Sequence, residues 1–222
     1  MDEAGELSDG IFIVFEGIDG SGTTTQCERF AQRMRAARQL VHVTREPSHG
    51  PVGTMIRLVL TQRMVLPQTH QAEAMALLFA ADRLDHVASE IDPLLRDGYV
   101  VVSDRYDLSS LAYQSTTSAA SESAVAWIRE LNRHARRPDL TLVLDVSPEV
   151  AAARRRARGG AVELFDDADL QARLAAAYRK AEDFVPGDRV IHIDGDQDAA
   201  AVEAAIARAL DPMISSRRPA VR

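Results

Sequence analysis

Five short runs of consecutive apolar residues punctuate this chain: "IFIVFE" (11–16), "VHVT" (41–44), "YVVVSD" (99–104), "LTLVLDV" (140–146) and "RVIHID" (189–194). A strand wetted on one face alternates apolar and polar side chains, whereas an unbroken run belongs to a strand covered on both faces. Between the runs lie longer stretches with apolar residues recurring at three and four, "AEAMALLFAADRLDHVASEI" (72–91) being the clearest. Strand, helix and strand in repetition imply right-handed crossovers, and so a parallel sheet with helices on both faces. The expectation is an α/β domain. With 222 residues the chain is long enough for one such domain and too short for two comfortable ones. Residues 11–210 are assigned to it, and residues 1–10 and 211–222 read as flexible tails. The low-complexity stretch "STTSAASESA" (115–124) reads as a surface loop, and "EPSHGPVG" (46–53) as an irregular loop at a sheet edge.

Charge narrows the partners. A net charge of −7 argues against duplex nucleic acid or an anionic membrane surface, though a small anion can still find a locally basic site. No apolar run approaches the roughly 20 residues needed to span a membrane. The polar, acidic opening "MDEAGELSDG" is unlike a signal or transit peptide, and the one cysteine, Cys27, permits no internal disulfide. A cytoplasmic protein is expected, with Cys27 a packing residue on the first helix. Of 26 basic residues only Lys180 is a lysine, so arginine is almost the only strong cation available.

That matters at "FEGIDGSGTTTQ" (15–26), which follows the first apolar run and precedes a helical pattern starting near Thr24. Gly17, Gly20 and Gly22 let successive N–H groups around Ile18, Asp19 and Ser21 curl toward one anion at a helix N-terminus. Thr24 stands where the hydroxyl ligand of Mg²⁺ belongs in a phosphate-binding loop. The position before it, where such loops carry lysine, holds Thr23. Asp104 ends the third run, at the sheet edge where α/β folds bind ligands, and is either a second Mg²⁺ ligand or the cap of the next helix. Arg105 follows it, well placed for a bidentate phosphate clamp. Phe79 and Arg83, four apart on one helical face, could hold a flat base, although an aromatic on a helix is more often core. The segment 154–171, "RRRARGGAVELFDDADLQ", reads either as a lid hinged at its glycines, carrying arginines over a polyphosphate, or as a solvated helix end.

Taken in order, "FIVFEGIDGSGTTTQ" (12–26), "TREP" (44–47), "LLFAADR" (77–83), "SDRYDLSSLAYQ" (103–114) and "PDLTLVLDVSPEVAAAR" (138–154) resemble the motifs of thymidylate kinases at about the family's spacing. The resemblance implies a P-loop NTPase fold with a five-stranded parallel sheet, a homodimer, and transfer of the γ-phosphoryl of ATP to dTMP with Mg²⁺. It implies that Phe79 stacks on thymine and Arg83 donates to the base. Ser110, Tyr113 and Gln114 complete the nucleoside pocket, with Tyr113 crowding a 2′-hydroxyl. Arg45 and Arg105 clamp the acceptor phosphate, and Asp19 lies near the transferred group. Three features depart from the family pattern: Thr23 for lysine, "TREPSHGP" for "TREPGGTP", and "VELFD" (162–166) where an Asp-Arg-x-Glu element is usual in the lid. Arg158, beside Gly159 and Gly160, is the expected replacement for the missing charge, with Arg154 and Arg156 in reserve. Two rival readings stay open: a nucleotide-binding pseudokinase with a regulatory role, and a kinase for another nucleoside monophosphate.

Overall fold

A computed structural model describes residues 10–117, 121–159 and 167–216. The apolar runs form the strands β1 (Ile11–Gly17), β2 (Val41–Arg45), β3 (Val100–Asp104), β4 (Leu140–Asp145) and β5 (Val190–Asp194). They lie in one sheet in the order β2-β3-β1-β4-β5, and every neighbouring pair runs parallel. This is the P-loop NTPase arrangement, with β1 in the centre and the direction of winding reversing around it.

The unbroken apolar runs have a visible cause. Successive side chains of a strand point to opposite faces. Ile11, Ile13 and Phe15 of β1, with Val100 and Val102 of β3, enter the larger core cluster beside Phe30, Leu142 and Leu174. Phe12, Val14 and Val101 enter a second cluster with Val87, Ile91, Leu95 and Tyr106. Phe12 meets Tyr106 edge-on, ring centroids 5.0 Å apart. Both faces are therefore covered by helices.

Helix α1 (Thr23–Ala36) leaves the end of β1 through the glycine loop, and Cys27 is buried on it as a packing residue. After β2 the chain passes a short loop into α2 (Pro51–Leu60). That loop is pinned: Ser48 donates to Asp82 from both its amide (2.7 Å) and its hydroxyl (2.6 Å). The long helical pattern then divides into α3 (Gln71–His86), a π-helical turn at Val87–Ile91 and α4 (Asp92–Arg96). After β3 come α5 (Asp107–Thr117) and α6 (Ser121–Leu131), so residues 115–117 and 121–124 are helical, not the surface loop expected. Its Ser, Ala and Glu residues are low in complexity yet compatible with helix. Beyond β4 stand α7 (Pro148–Arg158), α8 (Ala168–Tyr178) and α9 (Ala181–Phe184).

The last helix, α10 (Ala199–Ser215), follows β5 and corrects the expected boundary at residue 210. Leu210 is buried in the core and Asp211 pairs with Arg33 of α1 at 2.5 Å, so the tertiary contacts carry the helix on through Pro212. Among the described residues no helix is long and apolar enough to cross a membrane.

Candidate active site

The loop between β1 and α1 has the geometry its glycines permit. Gly20 (φ 90°) and Gly22 (φ 96°) adopt left-handed conformations that an L side chain enters only with strain, and Gly22 is the residue from which α1 starts. Residues 19–26 line a cavity of about 530 Å³, together with Asp104, Arg105, Arg154 and Arg155. That volume is in the range of nucleotide-sized ligands.

At the cavity's wall Thr24 Oγ1 donates to Asp104 Oδ2 over 2.5 Å. The other carboxylate oxygen, Asp104 Oδ1, is buried with no hydrogen-bond partner. An orphaned carboxylate oxygen beside a hydroxyl, at the mouth of a phosphate loop, fits a hard divalent cation that keeps its waters and completes its shell from phosphate oxygens. No cluster of three or more acidic, His or Cys side chains suited to a metal occurs among the described residues. Thr24 and Asp104 would thus hold Mg²⁺ only in company with a bound nucleotide.

Arg105 sits at the junction of the site. Its backbone φ is 75°, a left-handed conformation that costs a non-glycine residue about 1–3 kcal/mol. The surroundings hold it there: Arg105 N donates to Phe15 O at 2.9 Å and Ser103 Oγ to Arg105 O at 2.7 Å. The conformation turns the side chain back over the loop, where Nη1 reaches Gly17 O (2.8 Å) and Nη2 reaches Asp19 Oδ1 (2.5 Å). Tyr113 OH donates to the other Asp19 oxygen at 3.0 Å, and the Arg105 guanidinium lies 5.9 Å from the Tyr113 ring centroid. Asp19, Arg105 and Tyr113, all expected at the site, are therefore in mutual contact.

Behind this group lies Glu16, fully buried at the end of β1. Its carboxyl accepts from Tyr106 N (2.8 Å), Ser109 N (3.1 Å), Ser109 Oγ (2.6 Å) and Tyr178 OH (3.0 Å). Burial pushes its pKa up to about 7, against the opposing pull of Arg105 and these donors. Arg105 Nη1 also meets Tyr178 OH at 3.2 Å. Glu16 and Tyr178 went unrecognised in the sequence. A single carboxylate closing an otherwise apolar strand was the signal for the first; nothing in the sequence marked the second.

Arg83, by contrast, is buried and held by protein partners. Nε donates to Glu46 Oε2 at 2.9 Å, Nη2 lies 2.7 Å from the same oxygen and 3.2 Å from Ser110 Oγ, and Nη1 bonds Asn132 Oδ1. Its guanidinium stacks 5.1 Å from the Tyr106 ring centroid. Glu46 in turn faces His86 Nδ1 at 3.3 Å, and His86 Nε2 meets Thr44 Oγ1 at 2.8 Å. The "TREP" and "FAADR" stretches are thereby locked together through buried polar contacts. Phe79 is half-buried against Ile56, Val59 and Met75. Arg45 stands exposed at the end of β2, beside Asp104 in the sheet register. Gln114 lies on α5, but its side chain falls outside the described residues, as does that of Arg158 at the end of α7. "VELFD" (162–166) lies outside them too.

A parallel sheet of this order, with a glycine loop leading into α1 and a carboxylate ending the adjacent strand, is that of a P-loop nucleotide-binding protein. Residues 15–206 match the family model described as "Thymidylate kinase". Similar proteins include a thymidylate kinase of Thermomicrobium roseum, 43% identical over 77% of this chain and 80% of that protein. One of Ruegeria pomeroyi is 38% identical over 87% and 92%, and a "probable thymidylate kinase" of Pyrobaculum aerophilum is 39% identical over 79% and 85%. The chain belongs to the thymidylate kinase family.

Proposed function

We propose that this protein transfers the γ-phosphoryl group of ATP to dTMP, in a Mg²⁺-dependent step of dTTP synthesis. The observation that carries the reading is the Asp19–Arg105–Tyr113 group. A strained arginine bridges the phosphate loop to the helix that carries Ser110 and Tyr113, which supports a reading with donor and acceptor sides within one side chain's reach. The family membership supports it independently.

The acceptor is itself a phosphate oxygen, so no strong protein base is needed, and catalysis rests on positioning and charge neutralisation. The loop amides of residues 17–24 cradle the donor's phosphates. Arg45 and Arg105 orient the acceptor phosphate, with Arg105 exchanging its contact with Asp19 for the ligand. Phe79 stacks on the base, while Arg83, Ser110, Tyr113 and Gln114 line the nucleoside pocket. Thr24 and Asp104 would hold Mg²⁺, which would supply charge neutralisation at the transferred group. Arg158, at the end of α7, belongs to the lid over residues 154–171. By the same family reading the working form is a homodimer in the cytoplasm.

The test is an ADP-release assay of the purified protein with ATP, Mg²⁺ and each nucleoside monophosphate in turn. Turnover greatest on dTMP is the expected result. ATP binding without turnover on any monophosphate would replace this reading with the regulatory pseudokinase, for which Thr23 speaks. Turnover greatest on another monophosphate would move the assignment there.

A further inference from the structure

Three carbonyls of the phosphate loop point outward, and each accepts from an arginine. Gly17 O is met by Arg105 at 2.8 Å, Asp19 O by Arg155 Nη1 at 2.5 Å and Ser21 O by Arg154 Nη1 at 3.3 Å. Each of these arginines has at least one further contact. Arg105 holds Asp19 and touches Ser109 and Tyr178, and Arg154 reaches away to Gln197 O at 2.9 Å.

Arg155 is placed differently. A Cβ added to Gly20 would lie 2.5 Å from Ala151 O and 3.1 Å from Arg155 Cγ, so α7 is seated directly on the loop and the arginine's stem crosses it there. Gly20 has no side chain because α7 occupies that space. The Arg155 side chain then lines the same cavity as Gly22, Thr23, Thr24 and Asp104. A guanidinium is a planar fork of five N–H groups, so one edge can hold a backbone carbonyl while the charge remains beside a phosphate. The buried Thr23, by contrast, offers only a short neutral hydroxyl where a long cation would stand.

We propose that Arg155 takes over the work of the lysine this loop lacks, bracing the loop at Asp19 O and bringing a fixed positive charge to the β- and γ-phosphates of the donor. The inference rests on the proposed ATP-binding role. It requires no swing of the lid, because α7 already rests on the loop.

The test uses the full chain and the variants Arg155→Met, Arg155→Lys, Thr23→Lys and Arg155→Met/Thr23→Lys, with Arg158→Ala and Arg158→Ala/Thr23→Lys alongside. Methionine keeps an aliphatic stem against Gly20 and removes the charge. Binding of a Mg²⁺-loaded non-hydrolysable ATP analogue and of AMP is measured by calorimetry, and turnover with dTMP by ADP release. Arg155→Met is expected to weaken the ATP analogue about 10-fold while leaving AMP unchanged, since AMP has no β- or γ-phosphate. Turnover should fall about 10²–10³-fold, as when one preorganised donor is removed from a transition state. Arg155→Lys should retain more activity than Arg155→Met, and Thr23→Lys should stimulate Arg155→Met far more than it stimulates the parent.

An unchanged ratio of ATP-analogue to AMP affinity in Arg155→Met overturns the proposal. So does rescue of Arg158→Ala alone, or equal stimulation by Thr23→Lys in both backgrounds. A parent that turns over no monophosphate sinks the kinase reading, and the two binding constants then decide on Arg155 by themselves.

Discussion

Glu16→Gln isolates one buried proton. In the parent the Glu16 carboxyl is pushed up to about 7 from an ordinary 4.5, burial being the main cause. Between those two pH values the folded chain holds a proton that the unfolded chain has already released. Stability falls with rising pH wherever the folded state binds more protons, so this group's contribution is complete below pH 4.5 and lost above about 7. At about 1.36 kcal/mol per pH unit, the interval is worth about 3 kcal/mol.

Glutamine copies the neutral acid. Its carbonyl can accept from Tyr106 N and Ser109 N, and its amide can donate to Ser109 Oγ and Tyr178 OH, hydroxyls that turn to accept. Urea unfolding followed by circular dichroism from pH 4.5 to 8.5 should therefore show the parent losing about 3 kcal/mol relative to Glu16→Gln. Every other titrating group is common to both proteins and cancels. A difference that stays constant across that range would refute the reasoning. It would mean that Arg105 and the four donors keep Glu16 ionised throughout, and that desolvation has been overrated.

The remaining expectations concern the ligands. Against dTMP, dUMP should lose about 1–3 kcal/mol in kcat/KM for its missing methyl, and ribonucleotides should be poor because of Tyr113; faster turnover of UMP or dCMP would show that Phe79 and Arg83 do not form the base pocket. Arg105→Ala should lower turnover at least about 10²-fold with the circular dichroism spectrum intact; near-normal turnover would leave Arg105 only a partner for Asp19. Asp104→Asn should raise the Mg²⁺ concentration needed for half-maximal turnover, and chelation by EDTA should abolish turnover in the parent; an unchanged Mg²⁺ dependence would make Asp104 merely the partner of the Thr24 hydroxyl.

Much of the architecture was legible because it depends on local pattern. A strand covered on both faces must be apolar at consecutive positions, and Ile11 through Phe15 divide between two core clusters for that reason. The glycine loop was legible as a motif. What hid was tertiary pairing. Arg154, Arg155 and Arg156 are consecutive, about 100° apart around a helix, and only the docking of Ala151 on Gly20 decides which one crosses the loop. The sequence reading named Arg154, Arg156 and Arg158 and passed over Arg155. That Glu46, Asn132 and Ser110 come from three separate segments to hold Arg83 was likewise not legible. Residues 115–117 and 121–124 misled because low complexity says nothing against helix.

The arginine caps on the loop have a chemical corollary. Among the described residues no lysine lines the cavity at the glycine loop, and Lys180, the chain's single lysine, stands exposed between α8 and α9. Guanidinium groups stay protonated to above about pH 12 and do not form Schiff bases or amides under conditions that modify amines. Acyl-phosphate nucleotide probes, pyridoxal phosphate and lysine acetylation, all of which act on loop ammonium groups, therefore have nothing to react with there. An inventory of nucleotide-binding proteins taken by amine capture would pass this one by, while a dicarbonyl reagent selective for arginine would find it.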